Sequence, residues 1–277
     1  MMKFEIAVKK YLNFMSRKGS SQSAVAGYKN KIENIFKGIN YNGERFEIPA
    51  KRFENYIFKK NRTQNTKAST TYQLKSFLNF CALENLPVCN AKKILAPKFE
   101  DKEARYFREN ELGKILKTIK DADKIFKTAI IFLLTTGTRI SEACNITKKQ
   151  ILNALKIENT YQISICGKRN KTRAIFIPEK TWKLCISTFS LHNQKSALGL
   201  DKQQLTRKIR DFSKKIKIKF TAHTLRHTYL TRLAQNGADI YKIQKIAGHS
   251  SITTTTRYLH SCNRELAQAS RLADFNL

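Results

Sequence analysis

The 277-residue chain is poor in the residues that interrupt helices, with four prolines and ten glycines. Long helices are therefore expected. Acidic residues are scarce as well, 21 against 53 lysines and arginines, for a formal charge of +32. No run of about 18 apolar residues occurs, which argues against a membrane span. Residues Met1–Lys10 alternate charged and apolar types and lack the apolar core of a signal peptide, so a soluble, cytoplasmic protein is expected. The six cysteines are scattered and form no Cys-x-x-Cys pair. A disulfide scaffold or a zinc ribbon needs closer, repeated spacing, so they read as reduced and mostly packed. No metal site is expected from them.

What is present is a hydrophobic fraction of 41% spread along the whole chain. That is enough for two ordinary domains with a core each, and it rules out a disordered basic tail. The charge is spread too: 19 basic against 7 acidic residues in 1–100, and 34 against 14 in 101–277. Two folded, basic domains point to a polyanion lying against both, with nucleic acid the usual one. A lysine-rich solvated surface is the alternative reading of the charge.

Phe4, Val8, Tyr11, Leu12 and Met15 repeat with helical spacing up to Arg17-Lys18-Gly19. Ser21 or Ser23 can cap a second helix carrying Val25, Tyr28, Ile32, Ile35 and Phe36. Phe53, Tyr56 and Ile57, then Tyr72, Leu74, Phe77, Leu78 and Cys81, continue the pattern. These define an all-helical domain over 1–95. Pro87 and Pro97 bracket a segment that continues, polar, charged and without clear periodicity, through Lys98–Glu103, which makes 96–106 the expected linker and 107–277 the second domain. There a helix is expected near Glu109, and Thr128–Leu134 is strongly apolar. Tyr161–Cys166 and Ala174–Ile177 read as a hairpin with a very basic turn, Gly167–Arg173. The expected fold is mainly α with a small antiparallel β-sheet.

Four segments of the second domain carry candidate chemistry. In Thr136-Gly137-Thr138-Arg139-Ile140-Ser141-Glu142 an apolar helix stops at glycine and a new one starts beside Arg139. An arginine there suits a phosphate by fork geometry and helix dipole, or it forms an ordinary surface pair with Glu142. Lys168 lies in the hairpin turn, where it either reaches toward a groove or a leaving oxygen or is simply solvated. In His223-Thr224-Leu225-Arg226-His227, with Thr221 as the expected N-cap, His223 and Arg226 share a helical face. The His-x-x-x-His spacing lacks the glutamate of a zincin, and no third ligand is evident. Last, a helix through Ile240, Ile243 and Ala247 ends at Gly248, with His249 just past it. Tyr258 follows nine residues later, beyond a threonine-rich turn, where a tyrosine is filler unless a phosphate site lies beside it.

In this order the motifs Thr-Gly-x-Arg-x-Ser-Glu, Gly-Lys, His-x-Leu-Arg-His, Gly-His-Ser and Tyr resemble the tyrosine recombinase/integrase family. Tyr11–Phe14, Ser21–Tyr28 and Leu74–Leu78 resemble that family's core-binding domain more loosely. The resemblance implies a two-domain clamp of a helical core-binding domain and a catalytic domain around double-stranded DNA. It implies tetramers on two specific sites, with Glu265–Leu272 docking into a neighbouring subunit. It also implies a role for each matched residue. Arg139 and Arg226 would neutralise the scissile phosphate, and Lys168 would protonate the leaving 5′ oxygen. His223 would act as general acid/base, His249 would hydrogen-bond the phosphate, and Tyr258 would be the nucleophile. Arg169 stands where the family usually has glycine after the hairpin lysine.

Such chemistry is expected to use no metal, small-molecule cofactor or membrane. Two arginines and histidine donors offset phosphorane charge, no carboxylate cluster surrounds the motifs, and a phosphotyrosine conserves the bond energy without ATP. A helical pattern already begun at residue 4 favours a Xer-like recombinase, serving dimer resolution or mobile-element integration. A type IB-like topoisomerase and a non-catalytic architectural DNA binder are the alternatives. A suicide duplex traps either enzyme covalently, whereas strand exchange between two specific sites marks the recombinase.

Overall fold

The computed structural model describes residues 4–41, 48–59, 61–100, 104–167, 172–248 and 253–256. Lys168, His249, Tyr258 and the 265–272 segment lie outside the described residues. The chain divides into two compact units, Met1–Lys102 and Glu103–Leu277.

The first unit is built from α1 (Phe4–Arg17), α2 (Gln22–Gly38), α3 (Ala50–Ile57) and α4 (Gln64–Leu83). Of the two serines that could cap α2, Ser21 does so, its hydroxyl accepting the Ala24 N–H at 3.3 Å. Thr63 caps α4 in the same way through the Thr66 N–H. The helical periods turn one stripe of each helix inward: Val8 and Tyr11 from α1, Ile32, Ile35 and Phe36 from α2, Leu74, Phe77, Leu78 and Cys81 from α4. Phe77 sits at the centre, edge-on to Tyr11 at 5.4 Å and to Phe36 at 5.7 Å. Burial of each such side chain stabilises the unit by about 1.5–3 kcal/mol, and each ring pair adds about 1 kcal/mol.

The 96–106 stretch is held over part of its length. Asn65 on α4 accepts the Glu100 N–H at 2.7 Å and donates to the Glu100 carbonyl at 3.0 Å. Farther on, the Phe107 N–H donates to Thr228 Oγ1 within the second unit.

That second unit contains α5 (Glu109–Thr118), α6 (Lys124–Thr136), α7 (Ile140–Asn145), α8 (Lys148–Leu152), strands β1 (Leu155–Ile157), β2 (Thr160–Cys166) and β3 (Thr172–Pro178), then α9 (Glu179–Ile186), α10 (Lys202–Lys215), α11 (Ala222–Gln235), α12 (Ile240–Ala247) and α13 (Thr253–Thr256). The apolar run read from sequence becomes α6, capped by Asp123 and packed against α11, α9 and β3. The expected hairpin is β2–β3, antiparallel, with Ile163 opposite Ile175 and Ile165 opposite Arg173. Strand β1 adds an outer edge beyond the expected hairpin, giving the order β1-β2-β3. The threonine run before Tyr258, expected as a turn, is instead one turn of helix, α13.

Trp182 on α9 lies flat on Tyr161 at 4.0 Å and donates its indole N–H to the Ile151 carbonyl. Cys81, Cys144 and Cys185 are buried, and burial pushes the Cys81 and Cys185 thiols up to about 12. Among the described residues no helix is long and apolar enough to cross a membrane.

Candidate active site

The site begins where α6 stops. Gly137 takes the left-handed conformation, φ +61°, and the Tyr229 ring lies so close that a Cβ there would sit 2.2 Å from it. Both constraints demand glycine. Two residues later Arg139 occupies the N-cap of α7 with extended backbone. It has no capping hydroxyl, so Glu142 supplies the cap from inside the helix: Oε2 accepts the Arg139 N–H and Oε1 accepts from Arg139 Nη1, both at 2.8 Å. Of the two readings of Arg139 and Glu142, the structure has a pair, although not an ordinary surface pair. Glu142 is buried, while the Arg139 side chain keeps 30% of its surface exposed.

Arg226 comes from the next layer. Thr221 is the N-cap of α11, and its N–H donates to Thr224 Oγ1 at 3.2 Å. Position 226 then faces inward, and the guanidinium is buried. It donates from Nη1 to the Gly137 carbonyl and from Nη2 to the Ala247 carbonyl, each at 2.6 Å. Two helix ends thus direct their carbonyl oxygens at one cation, where the dipoles are negative.

His223 sits at the exposed start of the same helix. Crowding by surrounding protein lowers its pKa, and the charges of Arg226, Arg139 and Lys202 lower it further. The imidazole is therefore neutral over a wider pH range than a free histidine and able to accept a proton. Beside it opens a groove of about 770 Å³ whose lining includes Ile140, Ile209, Phe220, Lys202 and Lys214.

The focus of the site is the end of α12. Asp239 caps its start by accepting the Tyr241 and Lys242 N–H groups, and Gly248 closes it at φ +63°. The last two carbonyls of the helix and that of its cap each receive an arginine: Ile246 from Arg173 Nε at 3.0 Å, Ala247 from Arg226, and Gly248 from Arg139 Nη2 at 3.4 Å. Arg173 also grips both oxygens of Glu142, at 2.9 and 2.8 Å. Burial works to raise the Glu142 pKa, but the Arg173 hydrogen bonds and then those of Arg139 outweigh it and hold the carboxyl at about 2. Glu142 is an anion at every working pH.

The structure therefore brings Arg139, Arg226 and His223 together, at the helix end that His249 follows in the chain. By sequence alone Arg173 belongs to the basic turn Gly167–Arg173. The available signal was register: Arg173, Ile175 and Ile177 alternate onto one face of β3, and a charge on an apolar face needs a partner. Of the other tyrosines near these motifs, Tyr229 packs on Gly137 with its phenol pKa raised by burial, and Tyr241 is exposed. No group of three or more His, Cys, Asp or Glu side chains placed to hold a metal occurs among the described residues.

Residues 105–265 match the family model described as phage integrase family. The chain belongs to that family and, within it, is a tyrosine-type site-specific recombinase of the Xer kind. It is 27% identical to tyrosine recombinase XerC of Staphylococcus haemolyticus, over 78% of this chain and 77% of the relative. The fold is shared with XerH site-specific recombinase solved on a palindromic difH substrate, at TM-score 0.70 and 18% identity over 95% of this chain and 94% of that one. It is shared as well with a lambda integrase tetramer solved on a Holliday junction, at TM-score 0.72 and 16% identity over 91% and 79%.

Proposed function

We propose that this protein cuts and rejoins double-stranded DNA at a specific site through a 3′-phosphotyrosine, working as a homo-tetramer on two sites. In this reading residues 1–95 form the DNA-holding core-binding domain, 96–106 the linker and 107–277 the catalytic domain. The observation that carries it is the meeting of Arg139 and Arg226 at the end of α12, with His223 beside them. The charge spread over both parts of the chain and the DNA-bound state of the XerH and lambda integrase neighbours support a DNA substrate.

The chemistry follows from charge. Tyr258 Oη attacks the phosphorus, forming the phosphotyrosyl bond as the bond to the 5′ oxygen breaks. The departing oxygen takes a proton from Lys168. The attacking phenol has a pKa near 10, so its proton must go to a base; neutral His223 fits that role. Arg139, with its exposed edge, and Arg226 offset the added charge on the phosphorane, and His249 donates to a phosphate oxygen. Rejoining is the reverse attack by a 5′ hydroxyl, so the bond energy is conserved without a nucleotide.

Tyr258→Phe tests the reading. It removes one oxygen and leaves the charge untouched. On a nicked duplex carrying a sequence selected from random DNA by the wild-type protein, covalent trapping should vanish while the gel shift persists at similar affinity. Persistence of the adduct would move the nucleophile to another tyrosine, Tyr229 or Tyr241 first.

A further inference from the structure

Glu142 and Arg226 are the two charged residues buried among the described residues. Arg226 meets backbone carbonyls, whereas Glu142 meets two other arginines, and these two differ in what they have left to offer. Arg139 gives one nitrogen to Glu142 and makes a longer contact with Gly248, keeping an exposed edge. Arg173 is 10% exposed and spends Nε, Nη1 and Nη2 on three acceptors within the protein. Each of its three nitrogens is already engaged within the protein and little of the side chain reaches the surface, so it acts through the groups it holds.

A second observation ties Arg173 to the same place. A Cβ on Gly248 would lie 2.9 Å from Arg173 Cδ and 3.0 Å from its Nη1. The end of α12 and the Arg173 side chain are thus built around each other. Arg173 also pairs with Ile165 across the hairpin, five positions after Lys168. One guanidinium therefore links the strand that follows Lys168, the carboxylate that aims Arg139, and the helix end that precedes His249.

We infer that Arg173 is a positioning residue for strand cleavage: through Glu142 it sets the direction of Arg139, and through the Ile246 carbonyl it sets where the chain leaves α12. The inference rests on the assignment of the site made above. Lysine cannot replace it, because one ammonium on a flexible stem cannot span both oxygens of Glu142 and the Ile246 carbonyl at once.

The test uses the full chain with Arg173→Lys and Arg173→Ala on the nicked selected duplex. At saturating DNA the single-turnover rate of covalent adduct formation should fall at least about tenfold in both, since displacement by about 1 Å can cost on the order of 100-fold. DNA affinity by gel shift should change by less than about threefold, because the Arg173 side chain is only 10% exposed and each of its nitrogens already donates within the protein. Combining Arg173→Lys with Glu142→Gln should cost no more than the worse single change, as the two act as a unit. Hydrogen exchange of the backbone amides of 245–248 should quicken in both Arg173 variants. A wild-type rate in Arg173→Lys would overturn the inference, showing that positive charge alone suffices. So would a loss confined to DNA affinity, which would make Arg173 a DNA contact. If Arg173→Ala fails to fold, the lysine variant decides. If the wild-type chain forms no adduct either, the site assignment fails, and the exchange of 245–248 still decides whether Arg173 holds the helix end.

Discussion

Replacing Glu142 by glutamine probes the packing of the site without any DNA. The carboxylate accepts four hydrogen bonds between 2.8 and 2.9 Å, two at each oxygen. An amide keeps one acceptor oxygen and turns its NH₂ toward arginine donors, so about half of these bonds become donor-to-donor contacts. Two guanidinium groups are also left without their anion, and breaking a buried pair from one side costs about 3–5 kcal/mol. Unfolding in urea measures this in the right place, because the chain has a single tryptophan and Trp182 lies on Tyr161 in the second unit. The pH dependence sharpens the test. The folded carboxyl is held at about 2, below its ordinary 4.5, so its stabilising contribution is complete above about pH 4.5 and is withdrawn as pH falls toward 2. That difference corresponds to about 3 kcal/mol, of which about 2 kcal/mol is gone by pH 3. The wild type should therefore exceed Glu142→Gln by about 3–5 kcal/mol at pH 7, and the gap should narrow by about 2 kcal/mol at pH 3. A gap below about 1 kcal/mol at pH 7, or one of constant size, would refute the assignment of Glu142 as the hub.

Gly137→Ala should destabilise the same tryptophan-reported transition by about 1–3 kcal/mol, since a left-handed φ and the Tyr229 ring both oppose a Cβ; wild-type stability would contradict this. If Lys168 protonates the leaving oxygen as proposed, Lys168→Ala should slow cleavage by a factor on the order of 100 or more, and a 5′-bridging phosphorothioate should restore most of the rate. Equal impairment on both substrates would instead make Lys168 a groove contact and Lys171 the next candidate. With a charge of +32, DNA affinity should fall by roughly 0.9 log per log salt for each phosphate contacted, and a flat salt titration would contradict DNA held along a basic surface.

Much of the helical framework was legible because buried residues recur at helical spacing: Ile32, Ile35 and Phe36 in α2 and Leu74, Phe77 and Leu78 in α4 read the same way in sequence and in structure. The stop at Gly137, the restart at Arg139, the Thr221 cap and the Gly248 stop were legible too, since each is local chemistry. Strand β1 was not. Its three residues are all exposed, so Leu155-Lys156-Ile157 shows no alternation that burial would impose, and its pairing with β2 is a tertiary event. The threonine run of α13 misled because β-branched residues are weak helix formers. Arg173 escaped because its partners, Glu142 and Ile246, lie 31 and 73 residues away, and spacing along the chain carries no trace of them.

Those long spans bear on when in its life a molecule acquires the arrangement. Arg139 reaches Gly248 across 109 residues, Arg226 reaches Gly137 across 89, and Arg173 reaches Ile246 across 73. Loops of this length close late, after local helices and hairpins have formed. A chain still emerging from synthesis at residue 240 already carries most of its lysines and arginines, and is drawn to any polyanion by charge alone. It has, however, no carbonyls of 246–248 against which the three guanidinium groups can seat. Attraction precedes competence, and the cationic cluster can be ordered only once the chain has emerged past residue 248.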